Sequence, residues 1–415
     1  MFEIDLEGLD NMNNIEIKKD LLYLIDGGMI DASQVHDYAD MMRKKKYLDM
    51  HPYKISYIES IKKWYTYLPD DEKGRVQRKR NTREEIEDIV IEYWEERLEN
   101  PTVKEVFDEW NDRRVRLKKI KKATHLRYTQ DFKRYYKEFG KRKIKSLEPE
   151  EIEEFLEEQI AEYGLTAKAF SELKTITRGF LKRAKKRKLI SFNVEEIFQE
   201  LDTSDSDFRK VIKEDFQEVF DEDEMPIMME YLEKNLDIYN LAILLMFVTG
   251  IRIGETVALK HSDFDGCTFK IRRTETRYKE DGKYVYDVDD YPKSPAGVRT
   301  VIIPKQYEWL ANVIKKTNPF NEYIFVKDGK RMHTQTIRLR QKRICDKIKI
   351  YRKSPNKIRK TYGSILLDNH LDERLIIGQM GHTNVLCTEQ HYHRNRKGIK
   401  RKQEILSSIP EFQAK

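Results

Sequence analysis

Cysteine is scarce in this chain: 415 residues hold three, Cys267, Cys345 and Cys387, with no CxxC spacing among them. Neither a disulfide framework nor a zinc knuckle is suggested, and a reducing cytoplasm is the natural setting. Long apolar runs are missing too. No stretch approaches the ~20 residues a membrane helix needs, and MFEIDLEGLD at the N-terminus lacks the basic and apolar regions of a signal peptide. A soluble cytoplasmic chain with no membrane partner is expected. Charge of one sign is not in large excess, since 80 Lys and Arg face 73 Asp and Glu, leaving +7. Any anionic partner must therefore be read from how the basic residues cluster.

A chain of this length is expected to form two or three domains. From Ile15 to Leu48 the apolar residues fall at helical spacing, interrupted by Gly27 and Gly28, which suggests two short helices in a segment, 1–49, of unassigned role. Over 50–100 the period changes. KWYTYL reads as a strand, PDDEKG as a turn and RVQRKR as a return strand, and Thr82 with Glu85 has the spacing of a helix capping box. Residues 101–200 are helical throughout, with breaks expected at KATH, SLEPEE and EYGLTAK. Two basic bursts lie there: Arg113 to Lys122, with Arg114, Lys118 and Lys121, and Lys182 to Lys188, with Lys185 and Arg187, Arg178 standing one turn upstream. Two such bursts in one small domain favour a surface that tracks phosphates. LDTSDSDFRK marks a linker over 201–215.

A last domain, 216–394, opens with Asp221 and Glu224 as a helix cap, continues into the apolar helix NLAILLMFV and then alternates through FKIRRTETRYKEDGKYVYDVDDYPKSPAGVRTVIIP as two or three antiparallel strands. Helices then resume to a tail, 395–415. The fold class is mainly α with small antiparallel β-sheets. Within TGIRIGE, Arg252 sits at a junction of two helices, either as half of an ion pair with Glu255 or as a phosphate ligand. A second arginine, Arg359, opens a helix in SPNKIRKTYGS, followed by Gly381-His382 and, ten residues on, Tyr392.

Taken in order, TGIRIGE, the hairpin PKSPAGVRT with Lys293, NKIRKTYGS, MGHTN and Tyr392 resemble the tyrosine recombinase or phage integrase family, which includes integrases of conjugative transposons. The resemblance spans about residues 50–400. It implies a helical, SAM-like core-binding domain and a mixed α/β catalytic domain that close on DNA, with an arm-type DNA-binding module at 50–100 whose Arg75, Arg78 and Arg80 face phosphates. It implies Tyr392 as nucleophile, Arg252 and Arg359 as phosphate clamps, His382 as a hydrogen-bond donor to the phosphate, Lys293 as general acid and Glu255 as an orienting residue. Such a site cuts and rejoins DNA through a 3′-phosphotyrosyl link and needs neither cofactor nor metal. The implied partners are duplex DNA at element ends and target site, further copies in a tetramer, and accessory proteins of excision or DNA bending. The tail is expected to exchange between protomers.

One residue departs from the pattern. Where the family carries a histidine or lysine three positions before the second arginine, this chain has Asn356, which cannot take a proton at neutral pH. That motivates a second reading, a catalytically weak or inactive DNA-binding protein on the same scaffold. A metal-dependent nuclease using His382, His391 and His393 lacks an ordered carboxylate set, and a type IB topoisomerase would share the chemistry without needing two specific sites.

Overall fold

Capping residues and apolar stripes set the elements of the chain, and a computed structural model describes residues 27, 32–70, 73–280, 282–290, 297–382 and 384–412. They divide into two compact units, one built from residues up to Leu117 with Tyr128–Phe208, the other from Lys118–Arg127 with Arg209 onward.

In the first unit, helix α1 (Ala32–Asp49) follows the expected glycine break, while the helix expected before Gly27 lies outside the described residues. Strands β1 (Ser56–Ile58), β2 (Lys63–Asp70) and β3 (Gly74–Arg80) form an antiparallel sheet in the order β1-β2-β3. β2 runs two residues further than KWYTYL, because Pro69 and Asp70 pair with Arg75 and Gly74. Helix α2 (Arg83–Glu99) begins at the Thr82/Glu85 capping box, with both reciprocal hydrogen bonds formed. Helices α3 (Val103–Arg116), α4 (Lys122–Tyr135), α5 (Pro149–Tyr163), α6 (Ala167–Lys186) and α7 (Val194–Glu200) follow, α4 belonging to this unit from Tyr128 onward. KATH, expected as a break, is the first turn of α4; the break falls earlier, where Lys118 adopts φ 54°. Phe107, Phe132, Tyr136, Phe155 and Phe180 fill the helical core, and the buried Tyr136 hydroxyl is satisfied by Thr177 Oγ1 at 2.6 Å.

The second unit opens with the single turn α8 (Asp215–Glu218) and helix α9 (Glu224–Lys234), capped by Asp221 as expected. Helix α10 (Ile238–Thr249) is buried from Asn240 to Thr249, and each fully buried Leu or Ile along it contributes ~1.5–3 kcal/mol. The turn α11 (Ile253–Thr256) leads to five strands in two small antiparallel groups. β4 (Phe264–Asp265), β5 (Thr268–Ile271) and β8 (Arg299–Ile302) make one sheet, and β6 (Thr274–Glu280) with β7 (Lys283–Asp289) make a hairpin. Helix α12 (Glu308–Lys316), the short pair β9 (Val326–Lys327) and β10 (Lys330–Arg331), and helices α13 (Thr334–Lys347), α14 (Pro355–Asp368), α15 (Glu373–Met380), α16 (Val385–Tyr392) and α17 (Ile399–Ser407) complete the unit. α10 is central: Phe220, Phe269, Val301, Leu310, Ile337 and Ile358 pack around it in one core. No described helix is long and apolar enough to cross a membrane.

Candidate active site

Arg359 lies in the first turns of α14, where Pro355 takes a position that needs no backbone donor. The side chain is 2% exposed and reaches the ends of two other helices. Nη1 donates to Gly250 O at 2.8 Å, and Nη2 donates to Met380 O and, at 2.9 Å, to Nε2 of His382. Both carbonyls belong to helix C-termini, α10 and α15, where unpaired C=O groups and the macrodipole favour a cation. Nε has no acceptor. Burial, with repulsion from Arg252, lowers the guanidinium to about 10, so it remains charged at neutral pH. Gly250 is required twice over: its φ is +65°, and a Cβ there would stand 2.2 Å from the Tyr362 ring.

Of the two sequence readings of Arg252, the ion pair with Glu255 is formed. Arg252 caps α11, its backbone N–H donates to Glu255 Oε2 at 2.9 Å and its Nη1 donates to Oε1 at 2.8 Å, yet the side chain remains partly exposed. Glu255 is buried beneath it and accepts on both oxygens from Arg299, at 3.2 and 2.9 Å. Burial opposes the carboxylate charge, but Arg299, then Arg359 and Arg252, outweigh it and hold the group at about 2. Arg299, in β8, is also fixed by Gln379 O at 2.9 Å. Sequence reasoning assigned it no role, although a lone cation beside the apolar run TVIIP marks it.

His382 follows α15 and is 4% exposed. An arginine N–H can only donate, so Nε2 accepts from Arg359 and the neutral ring carries its proton on Nδ1, which donates to Thr388 Oγ1 at 2.6 Å. Burial, then Arg359, Arg252 and Arg299, push the imidazole down to about 3. Tyr392 ends α16. Its ring centroid lies 4.6 Å from that of His382 and 5.4 Å from the Arg359 guanidinium carbon. Ser364 Oγ donates to Tyr392 O at 3.0 Å, and α14 comes so close that a Cβ on Gly363 would sit 3.2 Å from Tyr392 Cβ. Thr388, four residues before Tyr392 and so on its helix face, was also missed; only that spacing signals it.

Asn356 is exposed and lines a cleft of about 440 Å³ together with Arg252, Thr274, Arg277 and Arg338. Its neighbour Lys357 turns the other way, pairing with Glu218, as does Lys360. Burial opposes the Glu218 charge, but the two lysines hold it at about 2. Lys293 lies outside the described residues. His393 pairs with Asp368 at 3.0 Å, the His391 side chain lies outside the described set, and among the described residues no three of His, Cys, Asp and Glu converge as metal ligands.

The basic residues expected to meet phosphates stand on several elements of both units. Residues paired across a ladder share a face, so Arg78 and Arg80 stand with Thr66 and Trp64 on one side of the sheet, and Arg75 stands on the other. Arg75 stacks on Tyr67, with its guanidinium carbon 4.4 Å from the ring centroid. Arg113 and Arg114 end α3, where Arg114 lies over Trp110. Lys118 is in the following turn, and Lys121 and Lys122 pair with Asp289 and Glu280 at 2.8 and 2.5 Å. On α6, Arg178 and Lys182 share Glu195, Lys185 donates to Phe192 O, and Arg187, the C-cap, pairs with Glu109.

The sequence model of the phage integrase family matches residues 218–398, the segment that carries Arg252, Arg359, His382 and Tyr392. This segment belongs to the phage integrase family. Among solved structures, this chain resembles the Tn1549 transposon integrase in complex with a circular intermediate DNA, at 18% identity and TM-score 0.56 over 74% of this chain and 98% of that one. It also resembles a lambda integrase dimer bound to a core site, at 14% identity and TM-score 0.51 over 85% of this chain and 99% of that one. Both likenesses are likenesses of fold. Comparison with curated proteins gives no match.

Proposed function

We propose that the chain is a site-specific DNA recombinase that integrates and excises a mobile element in the cytoplasm of a bacterial cell, working as a tetramer on two duplexes. The observation that carries the reading is the convergence of Arg359, His382 and Tyr392 within one cluster of hydrogen bonds and ring contacts in the integrase segment, with Arg252 held nearby by Glu255. Two guanidiniums near one phenol suit a phosphodiester, whose oxygens they neutralise as the five-coordinate transition state forms. The Tyr392 oxygen attacks phosphorus, the deoxyribose 5′-oxygen departs and takes up a proton, and the 3′-phosphotyrosyl link keeps the bond energy for a second hydroxyl to reseal. Lys293 is the proton donor in this reading.

The test is a duplex carrying the element end, nicked close to the cleavage site so that the short released strand diffuses away. Wild type is expected to accumulate a covalent protein–DNA adduct that Tyr392→Phe abolishes. Binding to this duplex with no adduct at any pH would instead support the inactive-scaffold reading that Asn356 motivates.

A further inference from the structure

We infer that His382, through Nε2, takes the proton from the Tyr392 hydroxyl during strand cleavage, filling the role that Asn356 cannot. The inference rests on the recombinase reading above and assigns it a base.

A phenol ionises near ~10, so at neutral pH its proton must pass to a group with a free lone pair. Among the described residues, the charged and titratable groups around His382 and the Tyr392 ring are few, and Tyr362 from α14 keeps its proton because burial pushes its phenol up to about 12. Arg359 from α14, Arg252 before α11 and Arg299 from β8 are donors only. Glu255 from α11 has both oxygens occupied by Arg252 and Arg299. Lys357, the other basic residue next to Asn356, is an ammonium held by Glu218. His382 remains. Its ring is 4.6 Å from that of Tyr392, and its tautomer is fixed with the proton on Nδ1 facing Thr388 and the lone pair on Nε2.

In the DNA-free arrangement that lone pair is taken by Arg359 Nη2 at 2.9 Å. A phosphate oxygen is a stronger acceptor for a guanidinium than a neutral imidazole is, because both partners are then charged. Phosphate binding draws Arg359 away from Nε2 and, by neutralising Arg359 and Arg252, removes the repulsion that disfavours a protonated ring. The base is thus uncovered by the substrate itself. The proton moves from the phenol to Nε2 as the phenolic oxygen bonds to phosphorus. The P–O5′ bond breaks with its electron pair leaving on the 5′-oxygen, which takes a proton from the general acid. The imidazolium keeps Nδ1–H on Thr388. On resealing, a 5′-hydroxyl attacks, its proton returns to the general acid, and the departing phenolate takes its proton back from Nε2.

The experiment is single-turnover adduct formation on the nicked duplex, with sulfur in place of the bridging 5′-oxygen so that the leaving group needs no proton. Wild type, His382→Gln and the double variant His382→Gln/Asn356→His are followed from pH 5 to 9. Wild type is expected to level off above a midpoint between about 3, the value in the free protein, and ~6.5, the ordinary imidazole value. His382→Gln is expected to fall ~100-fold or more at pH 7, with a rate that climbs about tenfold per pH unit as the phenol loses its proton to solvent. The double variant should recover at least about tenfold. A wild-type rate that climbs through pH 9 without levelling overturns the inference, and this arm needs no variant to fold. So does a His382→Gln profile that is scaled down but keeps the wild-type shape, as loss of a phosphate hydrogen-bond donor would give. Absence of any Tyr392-dependent adduct brings down the recombinase reading itself, a result distinct from either.

Discussion

Replacing Glu255 with glutamine keeps the shape of the side chain and removes its charge. The carboxylate is held at about 2 against an ordinary 4.5, chiefly by Arg299. At ~1.4 kcal/mol per pH unit, that difference amounts to roughly 3 kcal/mol of stabilisation at neutral pH. Breaking one side of a buried ion pair costs a similar ~3–5 kcal/mol, because Arg299 would remain enclosed without its counter-charge. For a unit of this size each kcal/mol moves the melting temperature by ~2–4 °C, so Glu255→Gln should lower it by roughly 6–12 °C at pH 7. The folded-state pKa is depressed, so the contribution is complete above about 4.5 and fades as pH falls toward 2. Scanning calorimetry of both proteins at pH 7, 5, 4 and 3 should therefore show a gap that is constant at the upper two values and narrows below. A variant that melts within 2 °C of wild type at pH 7, or a gap that widens in acid, would refute the account of this cluster.

Gly250→Ala should destabilise the second unit by ~2–5 kcal/mol, from the left-handed backbone and the collision with Tyr362, read as a lower urea midpoint. Thr388→Val, isosteric but unable to accept from Nδ1, should slow adduct formation by ~10-fold while element-end binding in a gel shift is unchanged. Lys357→Met should leave the adduct rate within ~3-fold of wild type, because Glu218 already holds that ammonium; a ~100-fold loss would make Lys357 the base.

Much of the site was legible before the fold was known. Arg252, Glu255, Arg359, His382 and Tyr392 were each marked by a short motif, and α14, α15 and α16 bring the last three together. The polar satisfaction around them was not legible. Arg299 is 44 positions from Glu255 and Thr388 carries no motif, so their hydrogen bonds emerge only when β8 and α16 are placed. The direction of Lys357 was equally hidden, because one helical position separates it from Asn356 while its partner, Glu218, is 139 residues away. For the sheet at 56–80, the change of period marked β2 and β3 but not β1, and the register that puts Arg75 opposite in sense to Arg78 and Arg80 needed the pairing with β2. KATH contains neither Gly nor Pro and so does not interrupt the helix, and the break lies at the left-handed Lys118.

The central claim is that one of the chain's 23 tyrosines, Tyr392, attacks a DNA phosphate. Digesting the trapped adduct with protease and nuclease and sequencing the nucleotide-bearing peptide by mass spectrometry tests it directly. The account predicts a single modified peptide, spanning Tyr392, with a nucleotide 3′-phosphate on that phenol. A nucleotide on any other residue, or none on a protein that has cleaved its DNA, would contradict it.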